Sequence, residues 1–252
     1  MLSKEDLQKF RITVGLNLGQ VEKDYLQHLF LLFLGQEAKK ELVFKGGTAL
    51  QKIYGLNRFS IDLDFTSTNG DEEKVIKKVA EDITNFGFET KVSKTEEVKG
   101  ISKSFALKIK GPLYDGTEKS LTSLRIEISL RRDLLLEPEI KEIIPIYPDI
   151  RPYIVLVMRL EEILAEKVRA IFWRSRARDV YDLWFLVKKG VSIKQNLIDQ
   201  KLRYYELKFS LKNFEKKINE VEKSWEKELK QITTFVPEFK TVKKEILENF
   251  GK

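Results

Sequence analysis

Apolar residues recur roughly every 3.6 positions from residue 3 to 40, which predicts two helices, with Gly15 and Gly19 marking the break between them. The period then changes. "ELVF", Glu41 to Phe44, is a short apolar run that reads as a buried strand leading into Gly46-Gly47. "TALQKIYG" returns to helical spacing, with Thr48 near the start of a short helix and Gly55 just past its end. "SIDLDFTS" alternates and predicts a strand, with Ile61, Leu63 and Phe65 facing the core and Asp62 and Asp64 together on the other face. "DEEKVIKKVAEDITNFG" predicts an amphipathic helix with acidic residues in its first turn and Gly87 as its stop. Strand-like runs follow in "FETKVS", "SFALKIKG" and "SLRIEISLR", the last two separated by the turn "GPLYDG". Pro138, Pro145, Pro148 and Pro152 cluster in an irregular stretch that reads as a domain boundary. From Arg159 onward the pattern is almost wholly helical. The expectation is an α/β domain over residues 1–155 and a helical domain over residues 156–252.

Composition narrows the chemistry. The 252 residues, 42% of them hydrophobic, suffice for a sizeable core. No apolar run reaches membrane-spanning length, and the N-terminus does not read as a signal peptide, so no membrane partner is expected. There is no cysteine, which excludes disulfides, zinc-thiolate sites and thiol nucleophiles and fits a cytoplasmic protein. The single histidine, His28, sits inside an apolar helical pattern, so a structural role is expected of it and no histidine-based triad or zinc site can be built.

Charge is uneven. Residues 1–150 carry 23 Lys+Arg against 24 Asp+Glu, whereas residues 151–252 carry 23 against 15, so the net charge of +7 arises in the second part. A basic half suits a polyanion such as RNA or DNA, and equally a solvated lysine-rich helical surface.

Asp62 and Asp64 are the first candidates for chemistry. Two neighbouring carboxylates repel unless a cation sits between them, and a hard divalent ion such as Mg²⁺ is the usual solution. A bare Asp-x-Asp is also compatible with an ordinary polar strand face. Gly46 and Gly47 add a second feature, because a glycine turn before a helix start lets backbone N–H groups approach a phosphate. A plain tight turn would look the same. Together the two features point to a nucleoside triphosphate with its Mg²⁺. In "LRIEIS", Arg125, Glu127 and Ser129 share one strand face, which offers Glu127 as a third carboxylate if its strand lies beside that of Asp62. An edge-strand glutamate with no such role is the alternative. In "EKVRAIFWRSRARDVYDLWFL", Lys167, Arg174, Arg178 and Asp182 fall on one face of a continuous helix. That stripe is either a solvated face, with Arg178 and Asp182 as a helix staple, or a place where an exposed Lys167 reaches a triphosphate.

The combination is specific. The chain resembles the AbiEii/AbiGii-type nucleotidyltransferase toxins of the DNA polymerase β-like nucleotidyltransferase superfamily. The resemblance rests on "FKGGTALQKIYGLNRFSIDLDF", on "LRIEIS", and on "LAEKVRAIFWRSRARDVYDLWFL" with its Arg-Asp-x-x-Asp-Leu, and it covers nearly the whole chain. It implies an α/β nucleotidyltransferase fold, a mixed sheet with flanking helices, plus a C-terminal helical domain, with the active site in the cleft between them. It also implies a helix break near Ser175 to Ala177, placing Asp179 near a helix start.

By the same resemblance Asp62 and Asp64, with Glu127, would be catalytic metal ligands. Gly46, Gly47, Thr48, Arg58 and Ser60 would contact or shape the triphosphate site. Lys167 and Asp182 match residues tied to activity, with Arg178 and Asp179 beside them; Lys167 and Arg178 would also bind nucleotide. The implied reaction is Mg²⁺-dependent transfer of NMP from an NTP to a hydroxyl, such as the 3′ end of tRNA, by the toxin of a toxin–antitoxin or phage-abortive-infection pair. Transfer to a small molecule and a non-catalytic NTP-binding regulator are the alternatives.

Overall fold

The computed structural model describes residues 1–37, 41–68 and 70–251. They form two compact units. The first comprises Met1–Gly55, Phe59–Leu134 and Pro138–Val157; the second comprises Leu56–Arg58, Leu135–Glu137 and Met158–Lys252.

In the first unit, α1 (Lys4–Val14) opens on a capping box between Ser3 and Asp6 and closes on Gly15, whose φ of 66° is left-handed. Gly19, expected to lie in the break, falls instead in the first turn of α2 (Leu18–Glu37), where one glycine is tolerated. The helix expected to continue to residue 40 reaches Glu37, and residues 38–40 lie outside the described residues. Next come β1 (Leu42–Lys45) and α3 (Gly46–Tyr54). The helix therefore begins at the glycines and not at Thr48. Strand β2 (Leu63–Ser67) starts later than the alternation suggested, so Asp62 precedes it, and Ile61 is 43% exposed where a core position was expected. α4 (Glu72–Phe86) matches its pattern from the Asp71 cap to Gly87.

Strands β3 (Thr90–Val98), β4 (Ser102–Ile109) and β5 (Thr122–Ser129) follow. The proline-rich stretch, expected to be irregular, contributes β6 (Glu139–Ile143), which pairs antiparallel with β7 (Tyr153–Val157). The seven strands form one mixed sheet in the order β3-β4-β5-β2-β1-β7-β6. β2 lies antiparallel to β1 and parallel to β5. One face is apolar: Phe44 and Phe65 sit opposite each other with ring centroids 5.3 Å apart, and Phe30 of α2 packs on Phe65. Burying such aromatics supplies much of the unit's stability.

The second unit is helical: α5 (Leu160–Arg174), α6 (Ala177–Lys188), α7 (Gln195–Arg203), α8 (Leu211–Asn219), α9 (Trp225–Leu229) and α10 (Phe239–Phe250). The stripe drawn along one continuous helix is interrupted at Ser175, a left-handed residue with φ 41°. The Ser175 hydroxyl donates to Glu220 Oε2 at 2.7 Å, which helps offset that strain. Glu162 fastens Leu135 and Leu136 to this unit by accepting both backbone N–H groups at 2.9 Å, and fully buried Lys201 neutralises it at 2.7 Å. Among the described residues no helix is long and apolar enough to cross a membrane.

Candidate functional site

The first group of site residues is built where β1 runs straight into α3. Lys45 stands at the cap position but supplies no side-chain cap, so the first-turn N–H groups of α3 receive no side-chain acceptor from it. Gly46 has a φ of +72°, and a Cβ there would lie 2.3 Å from Asp64 Oδ2. Glycine is required on both counts. The sheet register sets Lys45 opposite Asp64 and Asp64 opposite Glu127, so the three side chains share one row and one face. Lys45, buried at 7% exposure, was missed by motif reading; its position just before the glycine pair was the available signal. The expected neighbourhood of the Glu127 strand and the aspartate strand is present. The Glu127 carboxylate, however, lies 2.9 Å from Arg125 Nε on its own strand.

Asp62 is held through its backbone. The Thr48 hydroxyl donates to the Asp62 carbonyl. Gln27 Nε2 of α2 donates to the carbonyls of Ser60 and Ile61, each at 3.0 Å, and Gln51 Oε1 of α3 accepts from the Ser60 N–H at 2.8 Å. This grip draws residues 60–62 out of the strand that alternation predicted. Lys23 of α2, half-buried, is within electrostatic reach of Asp62; burial keeps its pKa below the usual lysine value despite that attraction.

Beneath the loop lies a buried polar network that sequence reading did not assemble. Asp24 pairs with Lys52 and accepts from Tyr147 at 2.8 Å, and His28 Nε2 lies 3.6 Å from it. Burial opposes ionisation of Asp24, but the Lys52 charge and the hydrogen bonds from Lys52 and Tyr147 outweigh it and keep the carboxyl below its ordinary pKa. His28 meets the Tyr153 hydroxyl at 2.8 Å, and burial pushes its pKa down to about 3, so it is neutral and structural as expected. The signal was present in α2, where Asp24, Gln27 and His28 recur at helical spacing inside an apolar run.

The second group lies within the second unit. Arg58 grips Asp182 with two hydrogen bonds, Nε to Oδ1 at 2.5 Å and Nη2 to Oδ2 at 2.6 Å. Lys167 Nζ lies 2.6 Å from Asp182 Oδ2 and 3.0 Å from Asp179 Oδ1. Arg174 closes the chain on Asp179, Nε to Oδ2 at 2.8 Å and Nη2 to Oδ1 at 3.0 Å. Lys167 was expected to be exposed; it is 7% exposed, because α5 turns it toward the two aspartates of α6. Asp182, expected as a possible helix partner of Arg178, is taken by Arg58 and Lys167. Arg178 is half-buried.

Both aspartates are fully buried. Burial alone would raise their pKa values; for Asp182 the charges of Arg58 and Lys167 outweigh it, and for Asp179 those of Lys167 and Arg174, so both lie below the ordinary range. Burial lowers the Lys167 pKa, but Asp182 and Asp179 outweigh that and hold it above its usual value. Three cations face two anions, so the cluster carries one surplus positive charge.

Among the described residues no group of three histidine, aspartate or glutamate side chains is assembled into a metal cage. The donor set nevertheless fits a hard divalent ion. Asp62 and Asp64 are half-buried on either side of buried Leu63, and the missing Cβ of Gly46 leaves space at the Asp64 carboxylate. Mg²⁺ commonly takes one or two protein carboxylates and draws its other ligands from substrate phosphates and water.

Residues 31–246 match the family model described as nucleotidyl transferase AbiEii toxin, Type IV TA system. No curated protein matches the chain. Among solved structures the chain is similar to JHP933 from Helicobacter pylori, with 22% identity and a TM-score of 0.65 over 93% of this chain and 91% of that one. It is also similar to MenT4, a nucleotidyltransferase toxin from Mycobacterium tuberculosis, with 20% identity and a TM-score of 0.67 over 99% and 89% of the two chains. At these identities the likeness is one of fold.

Proposed function

The chain belongs to the AbiEii nucleotidyltransferase toxin family, and we propose that it transfers a nucleoside monophosphate from an NTP to a hydroxyl of RNA, such as the 3′ end of tRNA. It does so in the cytoplasm as the toxin of a pair with a cognate antitoxin. The observation that carries this reading is the Asp62–Asp64 pair beside a glycine-opened, side-chain-uncapped helix start. The α3 N–H groups and Gly46-Gly47 receive the triphosphate, where backbone donors and the helix dipole favour negative charge. Thr48 and Ser60 shape this site through the backbone of the Asp62 loop.

Asp62 and Asp64 would hold Mg²⁺, with Glu127 as a third oxygen donor once it leaves Arg125. Such an ion, when bound, would supply a lowered pKa for the attacking hydroxyl and an offset to charge on the α-phosphate. The acceptor oxygen forms a bond to Pα, the bond from Pα to the bridging oxygen of the β-phosphate breaks, and pyrophosphate departs. The acceptor proton passes to a carboxylate of the pair. Arg58 and Lys167, oriented by Asp182, and half-buried Arg178 would offer positive charge to an anionic group. The balance of 23 Lys+Arg to 15 Asp+Glu over residues 151–252 supports a polyanionic acceptor.

Incubation with labelled NTPs, Mg²⁺ and total tRNA tests the reading. Label on tRNA that is lost with chelator supports it. Label on a small molecule favours the alternative acceptor, and NTP binding without transfer favours a regulator.

A further inference from the structure

The three tryptophans are treated differently. Trp225 is buried and its indole N–H donates to the Pro237 carbonyl at 2.8 Å; the Trp184 N–H donates to Glu245 Oε2 at 2.6 Å. Trp173, in the last turn of α5, is 66% exposed, the most exposed aromatic among the described residues. An indole normally contributes by burial and by a partner for its N–H. Here the ring is kept in water, and it is not isolated. Its centroid lies 4.7 Å from that of Tyr205, just beyond α7, and the Arg169 guanidinium lies 5.8 Å from the same Tyr205 ring. Arg169 is one turn before Trp173 on α5. Exposed Arg176 follows Trp173 closely, while exposed Arg203 and Tyr204 precede Tyr205.

A ring braced by a second ring, with arginines around it, is the arrangement that receives an unpaired nucleobase. Every base has a π-face to stack, and the phosphates on either side of it need cations. Protein interfaces also favour Trp and Arg. The exposed Arg176 and Arg203 beside the rings, within a basic half of the chain, favour a polyanion.

We propose that Trp173, braced by Tyr205, whose own ring faces the Glu166-paired Arg169, is the stacking platform for an unpaired base of the acceptor RNA. This rests on the RNA-acceptor reading above. The test is tryptophan fluorescence during titration with a ten-nucleotide single-stranded RNA and with total tRNA, beside RNA affinity by filter binding. Wild type should be quenched on binding. Trp173→Ala should lose most of the quench and weaken RNA binding on the order of tenfold, with an unchanged melting temperature, and Trp173→Phe should recover part of the affinity. Wild-type RNA affinity in Trp173→Ala overturns the platform and leaves the RNA reading standing. A wild-type protein that neither binds nor labels RNA overturns both. Quenching by a cognate protein but not by RNA overturns the platform and makes the patch a protein interface.

Discussion

Gly46 lies against the Asp64 carboxylate so closely that a Cβ on the glycine would come within 2.3 Å of Asp64 Oδ2 and 2.9 Å of its Cγ. Gly46→Ala meets this clash at a φ of +72°, a conformation that costs an alanine about 1–2 kcal/mol. Transfer should fall roughly 100-fold, because a misplacement of about 1 Å at a reacting centre has that effect. Single-turnover rates beside thermal melts check this; full activity would remove the glycine–carboxylate contact from the site.

Asp64→Asn keeps volume and removes one charge from the pair. It should abolish transfer and Mg²⁺-dependent NTP binding in a folded protein. Glu127→Gln should lose only about 10- to 100-fold, since Arg125 already engages that carboxylate. Equal losses in the two variants would make Glu127 a full partner of the aspartates.

Local pattern made the aspartate pair, the glycine turn and most elements of the first unit legible. What escaped was set by distant partners. Residues 60–62 leave the strand because Gln27 and Gln51, more than 30 and about 10 positions earlier, hold their backbone. β6 escaped because "EIKEI" is short, mostly charged and set among prolines; its strand character comes from pairing with β7. The break after α5 escaped helical spacing, because Ser175 is a left-handed position without the glycine that would announce one, but the family resemblance placed it near Ser175 to Ala177, where it lies. Lys167 looked exposed because helical spacing cannot reveal that Asp182 is shared with Arg58, 124 positions away.

Lys167→Ala leaves Asp179 and Asp182 buried with one arginine each. Breaking buried pairs typically costs about 3–5 kcal/mol, and the low end applies because Arg58 and Arg174 remain. Lys167→Arg should restore part of the loss, its wider head fitting less well between two carboxylates. Urea unfolding checks both. The lowered pKa values of the aspartates mean that the cluster stabilises above the usual carboxylate range and fails as acid protonates them; the raised value of Lys167 means its contribution persists below about pH 10.4 and is lost as alkali deprotonates it. An unchanged unfolding curve for Lys167→Ala would contradict the cluster.

RNA affinity should fall steeply with salt, log K declining linearly with log salt as counterions return to the phosphates. Titrations of total tRNA at 50–300 mM KCl, roughly the range over which such dependence is resolved, measure the slope. A flat response would favour a small-molecule acceptor.

His28 makes the stability of the first unit depend on pH. Its ring is buried between the Tyr153 hydroxyl and Asp24, with Tyr147 packed at its edge and Lys52 paired to the same aspartate. Burial, aided by the Lys52 charge and opposed by Asp24, depresses its pKa to about 3. In the unfolded chain the ring titrates near 6.5. The unfolded state therefore binds a proton that the native state refuses, and stability falls as pH drops below about 6.5, continuing until the native value is reached. Between about pH 6.5 and 5 the loss should be about 2 kcal/mol, a range in which ordinary carboxylates contribute little because they titrate near 4. His28→Gln keeps a donor and acceptor for Tyr153 but cannot titrate. Its unfolding free energy should stay level over that range while wild type declines. Parallel curves for the two proteins would mean that His28 accepts its proton in the folded state, and that the network under the Asp62 loop is open to water.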